Sequence, residues 1–244
     1  RLVGPFRAGW ATVAAGAGHG SNTFYLGAAG GGVWKSDDAG ITWQPVFDGV
    51  GSASVGALAV APSRPDTLYV GMGQVTSRYD VTPGDGVYRS DDAGKTWRHL
   101  GLAGTRHIGA LRIDPRNPDV AWVAALGSIF GPSAERGVYR TADGGKTWQR
   151  TLFVSERAGA VDLAVDPVDP NLVYASVWQV RHRPWLAYFT PDVGEESGLY
   201  RSSDGGVTWQ KVQGGGWPQG ALGRIGLAAV HRAAGTRVWA VIDA

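Results

Sequence analysis

The octapeptide SDDAGITW, residues Ser36–Trp43, occurs four times in this chain in closely related forms. The other copies are SDDAGKTW at Ser90–Trp97, TADGGKTW at Thr141–Trp148 and SSDGGVTW at Ser202–Trp209. All four share the pattern Ser/Thr-x-Asp-x-Gly-x-Thr-Trp. They begin at residues 36, 90, 141 and 202, which are 54, 51 and 61 residues apart. Self-similarity at such a period indicates a repeated supersecondary unit.

A second motif, Pro-x-x-Pro followed by Asp or Asn and then alternating apolar residues, supports the repeat. Clear copies are VAPSRPDTLYV (60–70), IDPRNPDVAWV (113–123) and VDPVDPNLVYA (165–175). Degenerate copies occur at 14–26 and 230–241. The chain therefore contains four complete units and the beginning of a fifth.

Each unit is predicted to form four short antiparallel strands. In the second unit these are SVGALAVA (54–61), TLYVGMG (67–73), GVYRS (86–90) and TWRHL (96–100). They alternate apolar and polar residues or are rich in β-branched and aromatic residues, and Pro or Gly turns separate them. Helical periodicity is nowhere sustained. Four-stranded units at this spacing predict an all-β protein, a β-propeller of four-stranded antiparallel blades.

We expect residues 1–244 to form a single propeller domain with four complete blades and a partial fifth. The blade boundaries are predicted near 8–47, 54–100, 107–151, 158–212 and 223–244. The last unit has only RIGLAAV (224–230) and TRVWAVI (236–242). We therefore expect the chain to be the N-terminal part of a larger propeller, with further blades or self-association completing the ring. The alternative is a closing strand supplied by Arg1–Arg7.

The octapeptide is predicted to form the hairpin between the third and fourth strands of each blade. Its Asp and Ser or Thr side chains can bond the backbone of the turn, its Gly can adopt a positive φ, and its Trp can cover the blade edge. Equivalent turns lie around a ring, too far apart to converge on one small ligand. The residues with this predicted structural role are Ser36, Asp38, Gly40, Trp43, Ser90, Asp92, Gly94, Trp97, Thr141, Asp143, Gly145, Trp148, Ser202, Asp204, Gly206 and Trp209.

Composition excludes several classes of function. The chain has 43% hydrophobic and 18% charged residues, a formal charge of +2 and no Cys. It lacks the basic stripe of a nucleic-acid-binding protein, and disulfides and thiolate chemistry are excluded. No apolar run is long enough to span a membrane. The five His show no metal-ligand spacing, so we expect no metal and no cofactor.

These motifs resemble the Asp-box, or bacterial neuraminidase repeat, of sialidases, two-propeller xyloglucanases, sortilin-type receptors and a photosystem II assembly factor. GPFRAGW (4–10), GGGVWKSDDAGITW (30–43) and WQVRHRPW (178–185) look most like the N-terminal part of bacterial exported proteins described as sortilin-like or glycosyl-hydrolase-like. The resemblance covers nearly the whole chain. It implies a β-propeller and an extracytoplasmic location, periplasmic or secreted, in a bacterium.

Ligand contacts are expected on the face opposite the octapeptides, where the second-to-third loops are long (73–86, 127–137 and 178–198). Loops rich in Arg and aromatic residues on a rigid scaffold favour binding of a sugar or an extended peptide. These loops and the connections between blades also carry Arg157 and Arg183. The predicted ligand-binding residues are Arg78, Tyr79, Arg106, His107, Arg136, Trp178, Gln179, Arg181 and Trp185.

Glycoside hydrolysis is the main alternative function, and it requires two carboxyl groups about 5–10 Å apart. The candidate catalytic residues are Asp80, Glu135 and Glu156, with Glu195 and Glu196 on the same face. The resemblance to xyloglucanases implies an acid near the Gly-Gly of the first blade, where this chain has Ala29. The resemblance to sialidases extends only faintly to Arg7 and leaves Tyr188 without an evident Glu partner.

The sequence therefore predicts an exported module that binds a glycan, a peptide or a protein partner on its long-loop face, with no nucleic acid and no membrane span. A glycoside hydrolase of the sialidase or xyloglucanase type, or a fragment of one, is the first alternative. An architectural module in a larger assembly is the second.

Overall fold

The computed structural model describes residues 10–76, 81–183 and 192–243, which form antiparallel β-sheets. The first sheet contains β1 (Ala11–Gly16), β2 (Phe24–Ala28), β3 (Gly32–Ser36) and β4 (Gln44–Pro45). The second contains β5 (Val55–Val60), β6 (Leu68–Met72), β7 (Val87–Ser90) and β8 (Arg98–His99). The third contains β9 (Ile108–Ile113), β10 (Ala121–Ala125), β11 (Gly137–Thr141) and β12 (Gln149–Leu152). The fourth contains β13 (Ala158–Val165), β14 (Val173–Gln179), β15 (Gly198–Ser202) and β16 (Gln210–Lys211).

The last two strands, β17 (Ile225–Arg232) and β18 (Gly235–Ile242), form a two-stranded hairpin. In the part of the chain that the structure describes, the one helical element is a single 3-10 turn, Ala103–Thr105. Each four-stranded sheet follows the order of the sequence. The first strands contact one another in succession, β1 with β5, β5 with β9, β9 with β13 and β13 with β17. These sheets are the blades of a β-propeller, which confirms the predicted fold class.

Glycine permits the close approach of neighbouring first strands. A Cβ atom added to Gly56 would collide with the carbonyl oxygen of Ile108, and one added to Gly109 would collide with that of Val161. Because only glycine lacks a Cβ, these two positions are determined by blade packing. The buried apolar residues form clusters that extend from one sheet to the next.

The four Asp-containing hairpins have the same internal hydrogen bonds. In the second sheet the Ser90 hydroxyl donates to Asp92 (2.8 Å) and accepts from the Gly94 N–H (2.9 Å). The Asp92 carboxylate also accepts from the Thr96 N–H (2.9 Å) and hydroxyl (2.6 Å). The corresponding bonds in the other three hairpins measure 2.5 to 2.9 Å. These bonds, chiefly the one from the Thr96 hydroxyl, lower the pKa of Asp92 to about 2.

Each of these hairpins is tied to the first-to-second turn of its own sheet. The Ala93 N–H donates to the Asp66 carbonyl (2.9 Å), and the Gly144 N–H donates to the Asp119 carbonyl (2.9 Å). The equivalent bonds in the first and fourth sheets run from Ala39 to Asn22 and from Gly205 to Asn171. The hairpins and the short turns therefore share one face of the molecule.

The tryptophans of the hairpins connect neighbouring blades. The Trp97 indole donates to the Val46 carbonyl (2.7 Å), that of Trp148 to the Leu100 carbonyl (2.9 Å), and that of Trp209 to the Thr151 hydroxyl (3.1 Å). Each acceptor belongs to the preceding blade. The Trp43 indole donates to Gly40 in its own hairpin (3.0 Å) and its side chain is 37% exposed. A repeated contact between blades thus accounts for the repeated Trp.

Aromatic residues of the second strands make the reverse contact, toward the following blade. The Tyr69 hydroxyl donates to the Pro118 carbonyl (2.9 Å), and the Trp122 indole donates to the Gly205 carbonyl (2.8 Å). The Tyr25 hydroxyl donates to the Ala93 carbonyl (3.3 Å). Together with the hairpin tryptophans, these bonds fix the order and spacing of the blades.

The β17–β18 hairpin is held against the fourth sheet by a buried carboxylate. Asp166 is fully buried, lies 3.1 Å from Nδ1 of His231, and accepts a hydrogen bond from the Thr236 hydroxyl. The Ser176 hydroxyl donates to the Ile225 carbonyl (2.8 Å). These contacts make the hairpin a continuation of the blade series. The predicted blade boundaries and the closure of the ring stay predictions, and Arg1–Arg7 lies outside the described residues.

Candidate functional site

A buried apolar cluster supports the long-loop face. Its members come from the loops and strand ends of the second, third and fourth sheets: Val75, Val81, Leu126, Ile129, Val161, Trp178 and Val180. The Trp178 indole donates to the Asp192 carbonyl (2.7 Å). The Arg224 guanidinium donates to the Val75 carbonyl (3.2 Å), which ties the last connection to the second sheet. The loops on this face are therefore packed onto one another.

A cleft of about 290 Å³ lies on this face between loops of the third and fourth sheets. The second-to-third loop of the third sheet provides one wall, and the residues that follow β14 provide the other. Four of the cleft's ten described lining residues are arginines. The lining residues are Gly131, Pro132, Arg136, Arg157, Gln179, Val180, Arg181, Arg183, Asp192 and Val193.

Arg136 is the most unusual residue of this cleft because it is a fully buried cation. Its Nη2 donates to the carbonyl oxygens of Ser128 (2.7 Å), Gly131 (3.2 Å) and Val180 (3.1 Å). Its Nε and Nη1 have no hydrogen-bond partner among the described residues. Burial lowers the pKa of Arg136 to about 10, against the opposite effect of Glu196. The guanidinium stays charged at neutral pH and is only partly compensated.

Arg157, in contrast, is compensated by a carboxylate. Its Nη2 lies 2.5 Å from the Glu196 carboxylate, and the Ser155 hydroxyl donates to the same group (2.7 Å). These hydrogen bonds, the one from Arg157 first, lower the pKa of Glu196 below its usual range. Glu196 is therefore engaged with its neighbours, and the arginines that line the cleft keep an excess of positive charge.

Asp192 is the one carboxylate among the described residues that line this cleft. Burial raises the pKa of its carboxyl group, while His182 and Arg183 pull that pKa the other way. A half-buried carboxylate of this kind can accept hydrogen bonds from ligand hydroxyl groups. With a raised pKa it is also the kind of group that can serve as a general acid.

The structure places the predicted ligand-binding residues in three different environments. Arg136, Gln179 and Arg181 line the cleft. Trp178 lies beneath it in the apolar cluster. Two further predicted residues are described and do not line the cleft: Arg106 is exposed and His107 is buried. The other three, Arg78, Tyr79 and Trp185, lie outside the described residues.

His107 has a clear structural role in place of the predicted ligand contact. Its side chain is 1% exposed, and Nδ1 lies 2.8 Å from the Gln74 carbonyl oxygen. Burial lowers its pKa to about 4, so the imidazole is neutral at physiological pH. A neutral ring bonded to the backbone orders the loop after β6.

The candidate catalytic residues do not meet in this cleft. Glu135 is exposed, and its carboxylate accepts a hydrogen bond from the Tyr139 hydroxyl (3.1 Å). Glu156 is exposed, and its backbone carbonyl accepts from the Ser133 N–H (2.9 Å). Asp80, Arg7 and Tyr188 lie outside the described residues. Ala29 is buried at the end of β2.

Asp192 is the cleft residue that the sequence reasoning missed. Its signal was weak, because it is one acidic residue among several in the longest loop, and nothing in the local pattern marks it as buried.

A second, shallower cleft of about 340 Å³ lies beside Glu195, Lys211, Trp217 and Gln219 on the connection that leads to β17.

The described ranges carry neither a metal-site cluster nor a membrane-spanning helix. No group of three or more His, Asp or Glu residues there could hold a metal ion. No helix found there has the length and apolar character needed to cross a membrane.

The four-stranded blades and their Asp-containing hairpins define a β-propeller of the Asp-box class. A family model described as Sortilin-Vps10 (sortilin, neurotensin receptor 3) matches residues 85–215, more than half of the chain. The chain therefore belongs to the Sortilin-Vps10 family, in agreement with the resemblance drawn from its motifs.

Comparison with known proteins also finds glycoside hydrolases. A xyloglucanase of Paenibacillus sp is 28% identical and is matched over 81% of this chain and 20% of its own length. Xyloglucanase Xgh74A of Acetivibrio thermocellus is 28% identical over 82% of this chain and 25% of its own length. The crystal structure of an ancestral GH74 enzyme superimposes with a TM-score of 0.63 at 19% identity, covering 90% of this chain and 27% of that one.

The matched region is a small part of each relative. This chain spans about a fifth to a quarter of the length of the two xyloglucanases. The structural match shows the fold. Together they define a propeller related to glycoside hydrolases.

Proposed function

We propose that this chain is a ligand-binding β-propeller module that binds a glycan or a peptide on its long-loop face, in the cleft beside Arg136. The observation that carries the proposal is the buried, partly compensated guanidinium at the wall of an open cleft. A buried charge without full compensation costs folding free energy. Such an arrangement is expected where a ligand supplies the missing partner.

The composition of the cleft supports binding more directly than catalysis. Guanidinium groups bind polar and anionic groups through charge-assisted hydrogen bonds, and several of them line one small cavity. The proposal also includes an extracytoplasmic location in a bacterium, periplasmic or secreted. Its support is the similarity to the Paenibacillus and Acetivibrio xyloglucanases and the Asp-box motifs.

Glycoside hydrolysis is the second candidate, and two observations favour it. The similar full-length proteins are named xyloglucanases. The raised pKa of Asp192 would suit a general acid. A hydrolase needs a second carboxylate at about 5–10 Å, as nucleophile or base. Glu196 is bonded to Arg157, a residue of the cleft lining, but its carboxylate is already engaged by Arg157 and Ser155.

One experiment separates the two candidates. The purified chain is applied to a panel of immobilised plant and bacterial polysaccharides and random peptides, and in parallel to chromogenic glycosides and xyloglucan. We expect retention on at least one panel member without turnover. Arg181→Ala should weaken retention, whereas Arg116→Ala, which removes an exposed arginine from a short turn on the opposite face, should not.

Hydrolysis that is lost in Asp192→Asn would overturn the binding proposal in favour of the enzyme. Retention unaffected by Arg181→Ala would exclude the cleft as the binding site. Failure of every panel member to bind, by a folded chain, would favour an architectural role in a larger assembly.

A further inference from the structure

We infer that the arginine-lined cleft selects an acidic saccharide, one that brings a carboxylate to Arg136, Arg181 and Arg183 and hydroxyl groups to Asp192. The inference rests on the proposed function and narrows it to one class of ligand. It requires three features of the cleft: excess positive charge, a preformed donor for an anion, and an acceptor for hydroxyl groups.

The charge of the cleft is the first feature. Among the described lining residues, Arg136, Arg157, Arg181 and Arg183 are accompanied by a single carboxylate, Asp192. The Glu196 carboxylate is paired with Arg157 and hydrogen-bonded by Ser155, so it offsets chiefly the charge of Arg157. Arg181 and Arg183 are exposed at the mouth of the cleft. A neutral ligand would leave this excess of positive charge uncompensated, whereas a carboxylate would offset it.

Arg136 is the second feature, because it is a donor built into the wall. Three backbone carbonyls hold its Nη2 and so fix the plane of the guanidinium. Nε and Nη1 are buried and have no partner among the described residues. Burial lowers its pKa, which means that its environment disfavours the cation as it stands. An anion bound here would restore the lost stabilisation.

Asp192 is the third feature, and it favours a saccharide over a peptide. A carboxylate beside arginines would repel a ligand that carried only negative charge. The same carboxylate can accept hydrogen bonds from the hydroxyls of a sugar ring, as acidic side chains do generally. The apolar lining is limited to small groups, Pro132, Val180 and Val193, and forms no deep pocket for a large peptide side chain. The cavity volume of about 290 Å³ is at the lower end for small-molecule pockets, which suits one or two sugar rings.

The test compares saccharides that differ only in the carboxylate. Isothermal titration measures binding of a galacturonic-acid oligosaccharide and of its carboxyl-reduced, neutral counterpart to the whole chain. A xyloglucan oligosaccharide and a pair of peptides with free and amidated C-termini complete the set. We expect the acidic oligosaccharide to bind at least about tenfold more tightly than the reduced one, the effect of one charge-assisted hydrogen bond.

Single substitutions show which arginines cause the preference for the acidic oligosaccharide. Arg181→Gln and Arg183→Gln change exposed residues of the cleft, and each should weaken the acidic oligosaccharide about tenfold and the reduced one by a clearly smaller factor. Arg116→Gln makes the same charge change on the opposite face and should have no effect. Arg136→Met should weaken binding further, and circular dichroism shows whether that variant folds. If Arg136→Met does not fold, the results for Arg181→Gln and Arg183→Gln still decide the test.

Each outcome bears on the inference. Equal binding of the acidic and reduced oligosaccharides, or tighter binding of xyloglucan, overturns the inference and leaves the proposed glycan-binding function intact. Binding of the free-acid peptide alone also overturns it and identifies the ligand as a peptide. Absence of binding to every saccharide and peptide by the folded chain overturns both the inference and the proposed function.

Discussion

Nη2 of Arg136 donates a hydrogen bond of 3.1 Å to the carbonyl oxygen of Val180, so a cation from the third blade is held by the backbone of the fourth. This bond positions Arg136 at the wall of the cleft. It also makes the site dependent on two adjacent blades, since neither provides the arrangement alone.

The Arg136→Met variant should separate function from stability. Removing the cation relieves an incompletely compensated buried charge, while it leaves three carbonyl oxygens without a donor. Because these effects oppose each other, we expect the free energy of unfolding to change by less than about 1 kcal/mol. Urea denaturation measures this. A loss of about 3 kcal/mol or more would show that the three carbonyl hydrogen bonds outweigh the cost of the buried charge, contrary to this expectation.

The Asp-containing hairpins should make the protein sensitive to acid. Hydrogen bonds lower the pKa of Asp38, Asp92 and Asp143 from 3.8 to about 2, and the bond from the Thr hydroxyl of the same hairpin has the largest effect. A pKa that is lower in the folded state gives stability that is fully present above pH 4 and is lost as the pH falls toward 2. Thermal unfolding across this range should show the decline. The Asp92→Asn variant should be less stable than the wild type at pH 7, and the two should converge near pH 2.

The backbone of Ala93 predicts a stabilising substitution. Ala93 has φ 59°, in the left-handed region, and the fourth-sheet equivalent is Gly205 with φ 72°. Glycine removes the steric cost of this conformation but gains entropy in the unfolded chain. We expect Ala93→Gly to raise the free energy of unfolding by about 0.5–1 kcal/mol.

The reverse substitution provides the control. Gly144→Ala should be destabilising, because Gly144 also has a positive φ and an added Cβ would collide with the Arg89 guanidinium. Differential scanning calorimetry compares both variants with the wild type. Destabilisation by Ala93→Gly would show that the hairpin is not under the expected backbone strain.

The tryptophans of the hairpins should differ in importance according to their neighbours. Trp148 packs against the buried apolar cluster shared by the second and third sheets. Its indole also donates to the Leu100 carbonyl of the preceding blade (2.9 Å). Trp43 bonds its own hairpin and is 37% exposed. Trp148→Ala should cost about 3 kcal/mol, and Trp43→Ala no more than about 1 kcal/mol. If chemical denaturation shows the same loss of unfolding free energy for both variants, the role assigned to Trp148 in contacts between blades is wrong.

The fold was predictable because local signals agree with one another along the chain. The Asp-containing octapeptide identifies the third-to-fourth hairpin, and Pro-x-x-Pro identifies the first-to-second turn. For the second unit the predicted strands 54–61, 67–73 and 86–90 contain the observed β5, β6 and β7. The predicted fourth strand, 96–100, shortens to Arg98–His99, because the start of that segment belongs to the hairpin bonds of Thr96 and Trp97.

The site was less predictable because sequence shows residue type and loop membership but not burial. Arg136 and Arg181 were identified from loop chemistry, and both line the cleft. Trp178 and His107 have equally suitable chemistry, yet both are buried and serve packing. Asp192 was missed because its environment, which raises the pKa of its carboxyl group, is created by residues of other segments.

The most direct test of the central claim is hydrogen–deuterium exchange with and without the tightest-binding saccharide or peptide of the panel. The loops 127–137 and 178–183 should gain protection, while the hairpins 36–43, 90–97, 141–148 and 202–209 should be unchanged. Protection confined to those hairpins, or no protection in the two loops at saturating ligand, would contradict binding at the arginine-lined cleft.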